Sequence, residues 1–161
     1  MGESRFASTL LRTGTAVATT AVLGSVATKD IKSAWYTSLD KPMIQPPGIV
    51  FPIVWTTLYT SIAHSSADVI EKLASDPRQA VAFEKALTVN LVLNASWSWV
   101  FFRAHRLPLA VVVAAALAGS STDLTRRAYH ADPRAAAALT PYAAWCGFAT
   151  VLTAAIWRRN R

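Results

Sequence analysis

The chain has 161 residues, 53% of them hydrophobic and only 16% charged, with a mean hydropathy of +0.31. A soluble domain carries about a quarter charged residues, so low charge with long apolar runs points to a membrane protein. The net charge of +7 comes from 16 Lys and Arg set singly or in twos and threes between apolar runs; without a basic helix or an aromatic-basic sheet motif, this is headgroup-facing charge, and nucleic acid is not expected as a partner.

A membrane-crossing helix needs about 20 mostly apolar residues. Five segments approach that length: 7–27, 50–70, 80–102, 107–124 and 136–157. The first is interrupted by Arg12 and diluted by Thr13, Thr15, Thr19 and Thr20. A secretory signal peptide is its competing reading, since Arg5 and Arg12 precede an apolar stretch. The interruptions favour a retained helix, whose threonines bond back to helix carbonyls or across to a neighbour.

The connection 29–48 contains Pro42, Pro46 and Pro47. Prolines fix φ and hold the preceding residue extended, so this connection is expected to form a stiff lid. The second run then places Phe51, Trp55, Leu58, Tyr59 and Ile62 on one helical face.

In the third run Asn90, Asn94, Trp97 and Phe101 fall at i, i+4, i+7 and i+11. An unpaired amide in hydrocarbon costs several kcal/mol, so both asparagines are expected to face protein or a polar cavity. The fourth run, "AVVVAAALAG", is rich in small residues that let helices pack closely. The fifth carries Tyr142, Trp145, Phe148 and Leu152, and the one cysteine, Cys146, which excludes an intrachain disulfide.

"SDPRQ", "RAHRLP" and "YHADPRA" join the last four runs, with Pro77, Pro108 and Pro133 where helices start. Connections this short predict that consecutive helices are antiparallel neighbours. The expected fold is one all-α unit over residues 1–161, a five-transmembrane-helix bundle with a Pro- and aromatic-rich loop between its first two helices. Eight Lys and Arg fall on each side of such a bundle, so the positive-inside count is tied; the terminal "RRNR" favours a cytoplasmic C-terminus.

Two readings of the stripes remain open. The asparagines can glue helices together while the aromatics fill the core or, like Trp35 and Trp157, mark the interface. Alternatively, three helices with a Trp-centred stripe share one aromatic cavity suited to a flat ligand.

Trp35, Tyr36, Leu39, Lys41, Pro42, Pro46, Pro47, Phe51, Trp55, Leu58 and Tyr59 resemble the first-loop and second-helix signature of the TspO/MBR family of translocator proteins. "LNASWSWVFF" (93–102) and "PYAAWCGFATVLTAAIWRRN" (141–160) are similar to the family's third- and fifth-helix motifs. The resemblance implies a five-helix membrane protein, commonly a homodimer, that binds porphyrins such as protoporphyrin IX or haem for transport or stress-linked regulation. It implies ligand contacts from Trp35, Pro46, Pro47, Phe51, Trp55, Tyr59, Asn94, Trp97, Tyr142, Trp145, Phe148 and Leu152. The chain departs from the family pattern at Met43, Gly48, Ile49 and Thr153, and in "VLTAAIWRR" an alanine fills the tyrosine position of the cholesterol-type pattern. Porphyrin is therefore the expected ligand, with a sterol-binding translocator as the weaker alternative.

No nucleophile, base and acid are assembled by the sequence, so a hydrolytic or metal enzyme is not expected. His64 and Asp68, at i and i+4, read as a contact near the membrane surface; His105 and His130 read as loop residues. Asp123 reads as an interfacial partner of Arg126 and Arg127. No catalytic set, metal site or resident cofactor is expected. The enzymatic alternative is light-dependent porphyrin breakdown with Trp55 and Trp145 as actors, chemistry that belongs largely to the ligand. A bacterial plasma membrane is the expected location.

Overall fold

Caps rather than hydropathy decide where these helices begin. In the structure, a computed structural model describing residues 2–161, Asp76 accepts from the Gln79 amide and Pro77 opens the next helix; Asp132 accepts from the Arg134 and Ala135 amides and Pro133 opens another. A side-chain acceptor meets an otherwise orphaned N–H, and proline has none to orphan.

The chain forms α1 (Gly2–Ala27), α2 (Ala34–Ser38), α3 (Val50–Lys72), α4 (Pro77–Phe102), α5 (Leu107–Ala131) and α6 (Pro133–Arg159), with 3-10 turns at Thr28–Lys32 and Leu73–Ser75. Every regular element among the described residues is helical. The five long helices overlie the five apolar runs and extend past them, because polar end turns stay helical. His130, expected in a loop, is therefore in the last turn of α5.

By length and apolar composition, three helices suffice to cross a membrane: α1 from Glu3, α5 and α6. The other two, α3 and α4, have 23 and 26 residues but carry the polar side chains His64, Asp68, Glu84, Asn90 and Asn94.

The long helices close a ring in the order α1, α3, α6, α5, α4. Consecutive helices are not always neighbours. Although only a short turn joins α3 to α4, they touch little, and α1 wedges between them. Thr13 donates across to Ala63 O at 2.9 Å, while Thr15, Thr19 and Thr20 bond back within α1. Arg12, the interruption in the first run, pairs with Glu84 of α4 at 3.1 Å.

Opposite α1, α5 and α6 pack tightly. Leu107, Ala110, Ala114, Leu117, Ser121, Leu124 and Ala128 are buried at alternating spacings of three and four, and the alanines allow close approach. Asp123 pairs with Arg127 at 2.6 Å and Arg126 at 3.4 Å, as expected. The half of the ring near the 73–75 turn is filled by Ile62, Val69, Phe83, Leu124, Leu139 and Tyr142. The half beneath the 33–49 connection holds a smaller cluster, Phe101, Leu107, Ala110, Leu152 and Ile156, and is incompletely filled.

Candidate ligand cavity

In that open half lies a cavity of about 420 Å³. α1, α3, α4 and α6 wall it and the 33–49 connection covers it; α5 contributes nothing. Its walls follow from helical spacing. From α3, Phe51, Trp55 and Tyr59 recur every four residues and face inward, while Leu58 and Ile62 of the same expected stripe turn into the core. α4 contributes Asn94, Trp97, Ser98, Phe101 and Phe102, and α6 contributes Trp145, Phe148, Leu152 and Thr153. Opposite, α1 offers only Ala21, Gly24 and Ser25, leaving a flat wall of small residues.

The rings brace one another. Phe51 meets Trp145 edge-on at 6.0 Å, Trp55 lies 5.3 Å from Tyr59, and Trp97 stacks on Phe101 at 5.4 Å. Edge and offset contacts of this kind are worth about 0.5–1.5 kcal/mol beyond the area they bury. They fix the ring planes before any ligand arrives.

Beneath the cavity runs a buried polar chain. Tyr59 donates to Asn94 Oδ1 at 2.8 Å, and Asn94 Nδ2 donates to the Tyr142 hydroxyl at 3.2 Å. Tyr142 in turn donates to Asn90 Oδ1 at 2.7 Å, and Asn90 Nδ2 donates to Ser121 Oγ at 3.0 Å. Four helices are stitched by this chain. Both readings of the asparagines therefore apply: Asn90 is glue only, while Asn94 is glue that also faces the cavity.

The lid is more structured than its prolines predicted. Ser33 caps α2 by accepting from the Tyr36 amide at 3.3 Å. Trp35 stacks on His105 at 3.9 Å and 17°, tying α2 to the α4–α5 turn. There His105 takes φ 55, a left-handed conformation uncommon for a residue with a side chain. Tyr36 and Gln45 face the cavity, the Gln45 amide donating to the Tyr36 hydroxyl at 3.4 Å. Burial raises the Tyr36 phenol above its ordinary pKa, with the Gln45 donor acting the other way. Gln45 Oε1 and Trp97 Nε1 are buried without a protein partner.

Of the expected ligand contacts, Phe51, Trp55, Tyr59, Asn94, Trp97, Trp145, Phe148 and Leu152 line the cavity. Four do not: Trp35 supports the lid, Pro46 and Pro47 lie between its two turns, and Tyr142 is fully buried below the floor. His64 contacts the Thr60 carbonyl of its own helix at 3.0 Å and does not line the cavity.

The profile of the TspO/MBR family matches residues 13–158. This chain belongs to the TspO/MBR family. It is 36% identical to the human translocator protein over 126 residues, 78% of this chain and 75% of that one. It is 33% identical to the protein CrtK of Rhodobacter capsulatus over 127 residues, 79% of each chain. With the tryptophan-rich sensory protein of Cereibacter sphaeroides it shares 32% over 126 residues, 78% of this chain and 77% of the other. Family membership and the three long apolar helices together make this TspO/MBR chain an integral membrane protein.

Several lining residues of this TspO/MBR chain lie outside the expected ligand contacts. Ala21, Gly24, Ser25 and Thr28 are one such set, legible as small residues at i, i+3, i+4 and i+7. Phe101 belonged to the third-run stripe and Tyr36 to the loop signature, so both carried a signal. Gln45 carried none, because a lone glutamine in a loop is ordinarily solvated.

Proposed function

We propose that the protein binds a tetrapyrrole, protoporphyrin IX or haem, in the aromatic cavity, for transport or stress-linked regulation. One observation carries this reading: a partly open cavity with nine aromatic side chains and no charged one among the described lining residues. Its volume lies within the roughly 300–1,000 Å³ of small-molecule sites. Braced rings on three walls and a flat fourth wall favour a planar occupant over a globular one of equal volume. The tetrapyrrole-binding role that the family resemblance implies supplies the chemical class.

The reading includes five membrane spans, with α3 and α4 counted alongside the three apolar helices because Asn90 and Asn94 bond to neighbouring helices and Glu84 pairs with Arg12. It includes a bacterial plasma membrane with the C-terminus inside, and the homodimer that the family resemblance implies.

The test is titration of the detergent-solubilised protein with protoporphyrin IX in the dark, following its main absorption band. A saturable shift at about one porphyrin per chain supports the reading; a shift equal to that in empty micelles overturns it. A second reading, light-dependent porphyrin breakdown, is favoured by Trp55 and Trp145 both lining the cavity. Illumination of the complex separates the two. Breakdown faster than for free porphyrin, and slowed by Trp55→Phe with Trp145→Phe when the variant is saturated with porphyrin, marks an enzyme.

A further inference from the structure

The cavity contains polar atoms but no ions. Two of those atoms, Gln45 Oε1 and Trp97 Nε1, are buried without a protein partner. An unmet buried polar atom is costly, so such atoms mark where a ligand's uncharged polar features are received. The Gln45 amide serves either need, because a half-turn exchanges its oxygen for its N–H. A carboxylate is different. No cation lines the walls among the described residues, and a carboxylate taken from water without a counter-charge costs far more than stacking returns.

The acid edge of any flat ligand must therefore stop at the lid. There Lys41 Nζ stands over the Tyr36 ring, 4.4 Å from its centroid, and that ring is part of the cavity wall. The neighbouring carboxylate, Asp40, is engaged by Arg159 at 3.3 Å. Lys41 is left without an acidic partner among the described residues. A lysine held against an aromatic face is positioned by that contact while its N–H groups stay available.

We infer that Lys41 is the counter-ion for a ligand carboxylate at the lid, and that the ligand enters with its uncharged edge first. This assignment rests on the porphyrin reading and adds an orientation to it. It makes Lys41 a binding residue selective for acids, while Trp97 contributes to acids and esters alike.

The test is a cycle of two ligands and several variants, read as dark affinities at low salt. The ligands are protoporphyrin IX, with two carboxylates, and its dimethyl ester, with none. Lys41→Met is expected to weaken the free acid about threefold to tenfold, the size of a partly exposed ion pair. The diester should change by less than about twofold, since it offers Lys41 no charge. Added salt should weaken the free acid in the wild type and much less in Lys41→Met. Trp97→Phe should weaken both ligands to the same degree.

Equal effects of Lys41→Met on acid and ester overturn the assignment, as does no effect on either. It is equally overturned if the acid-selective loss follows Lys29→Met or Lys32→Met instead, since both lysines lie in the turn that contributes Thr28 and Ile31 to the wall. If the wild type binds neither ligand, the porphyrin reading itself fails. That result is distinct from one in which both bind and Lys41 is indifferent.

Discussion

Asp40 and Asn160 clasp each other across 120 residues of sequence. The Asp40 amide donates to Asn160 Oδ1 at 2.9 Å, and Asn160 Nδ2 donates to Asp40 O at 3.0 Å. The side chain of Asn160 thus meets both polar backbone groups of Asp40 and fastens the lid to the end of α6. Each such bond is worth about 0.5–1.5 kcal/mol net. Arg159 also meets the Asp40 carboxylate, but both side chains are largely exposed, so that pair adds less than about 1 kcal/mol. Asn160→Leu is expected to speed porphyrin release about threefold to tenfold, and Arg159→Met less. Stopped-flow displacement checks the order; a larger effect from Arg159→Met contradicts it.

Tyr142 carries the buried polar chain. Its hydroxyl is bonded to Asn90 and Asn94, and the residue is fully buried. Tyr142→Phe keeps the ring and strands two amide groups in the interior, a loss of about 1–3 kcal/mol. Thermal unfolding in detergent should show a clearly lowered Tm. A change within error would mean that water or a rotated amide replaces the hydroxyl.

Gly24 separates stability from binding. An added Cβ would meet only Ser98 Oγ at 3.5 Å, an ordinary contact. Gly24→Ala should therefore be neutral or stabilising by up to about 1 kcal/mol, since glycine weakens a helix interior. Gly24→Phe projects a ring from the flat wall into the cavity, so it is expected to abolish binding while the protein still folds. Parallel measurement of Tm and porphyrin affinity distinguishes the two effects.

Asp76 gives the fold an acid limb. Its carboxylate accepts from the Gln79 amide at 3.1 Å and from the Gln79 side chain at 2.7 Å, and its pKa is lowered. The folded state favours the ionised form. The stabilisation is present above the unfolded pKa and is lost as pH falls through the lowered folded value. Asp76→Asn keeps a capping oxygen without the charge, so its Tm should fall less than wild type between about pH 6 and pH 3. Parallel acid profiles would rule out this role.

Much of this architecture was legible in the residues. The five long helices followed from runs of about 20 apolar residues and from Pro77, Pro108 and Pro133 at their starts. The Trp55, Trp97 and Trp145 stripes converge as their spacing suggested. Helix order around the ring was not legible. Short connections limit how far chain ends travel, but they do not forbid α1 from lodging between α3 and α4. Nor could periodicity separate Tyr142 from Trp145, since whether a ring on one stripe faces a void or a filled core depends on what opposes it. The lid prolines forecast stiffness, yet its attachments, Trp35 on His105 and Asp40 on Asn160, join residues far apart in sequence, and no local pattern marks such contacts.

The central claim is that the aromatic cavity holds a planar tetrapyrrole. Its most direct test is a dark titration with protoporphyrin IX, followed by quenching of tryptophan emission, in the wild type and in Trp55→Phe/Trp145→Phe. The account predicts saturable quenching with a micromolar midpoint, corresponding to about 8 kcal/mol of binding free energy. Porphyrin absorption, read alongside, should show weaker binding to the double variant. Unsaturable quenching in the folded wild type, or undiminished affinity in the variant, would contradict it.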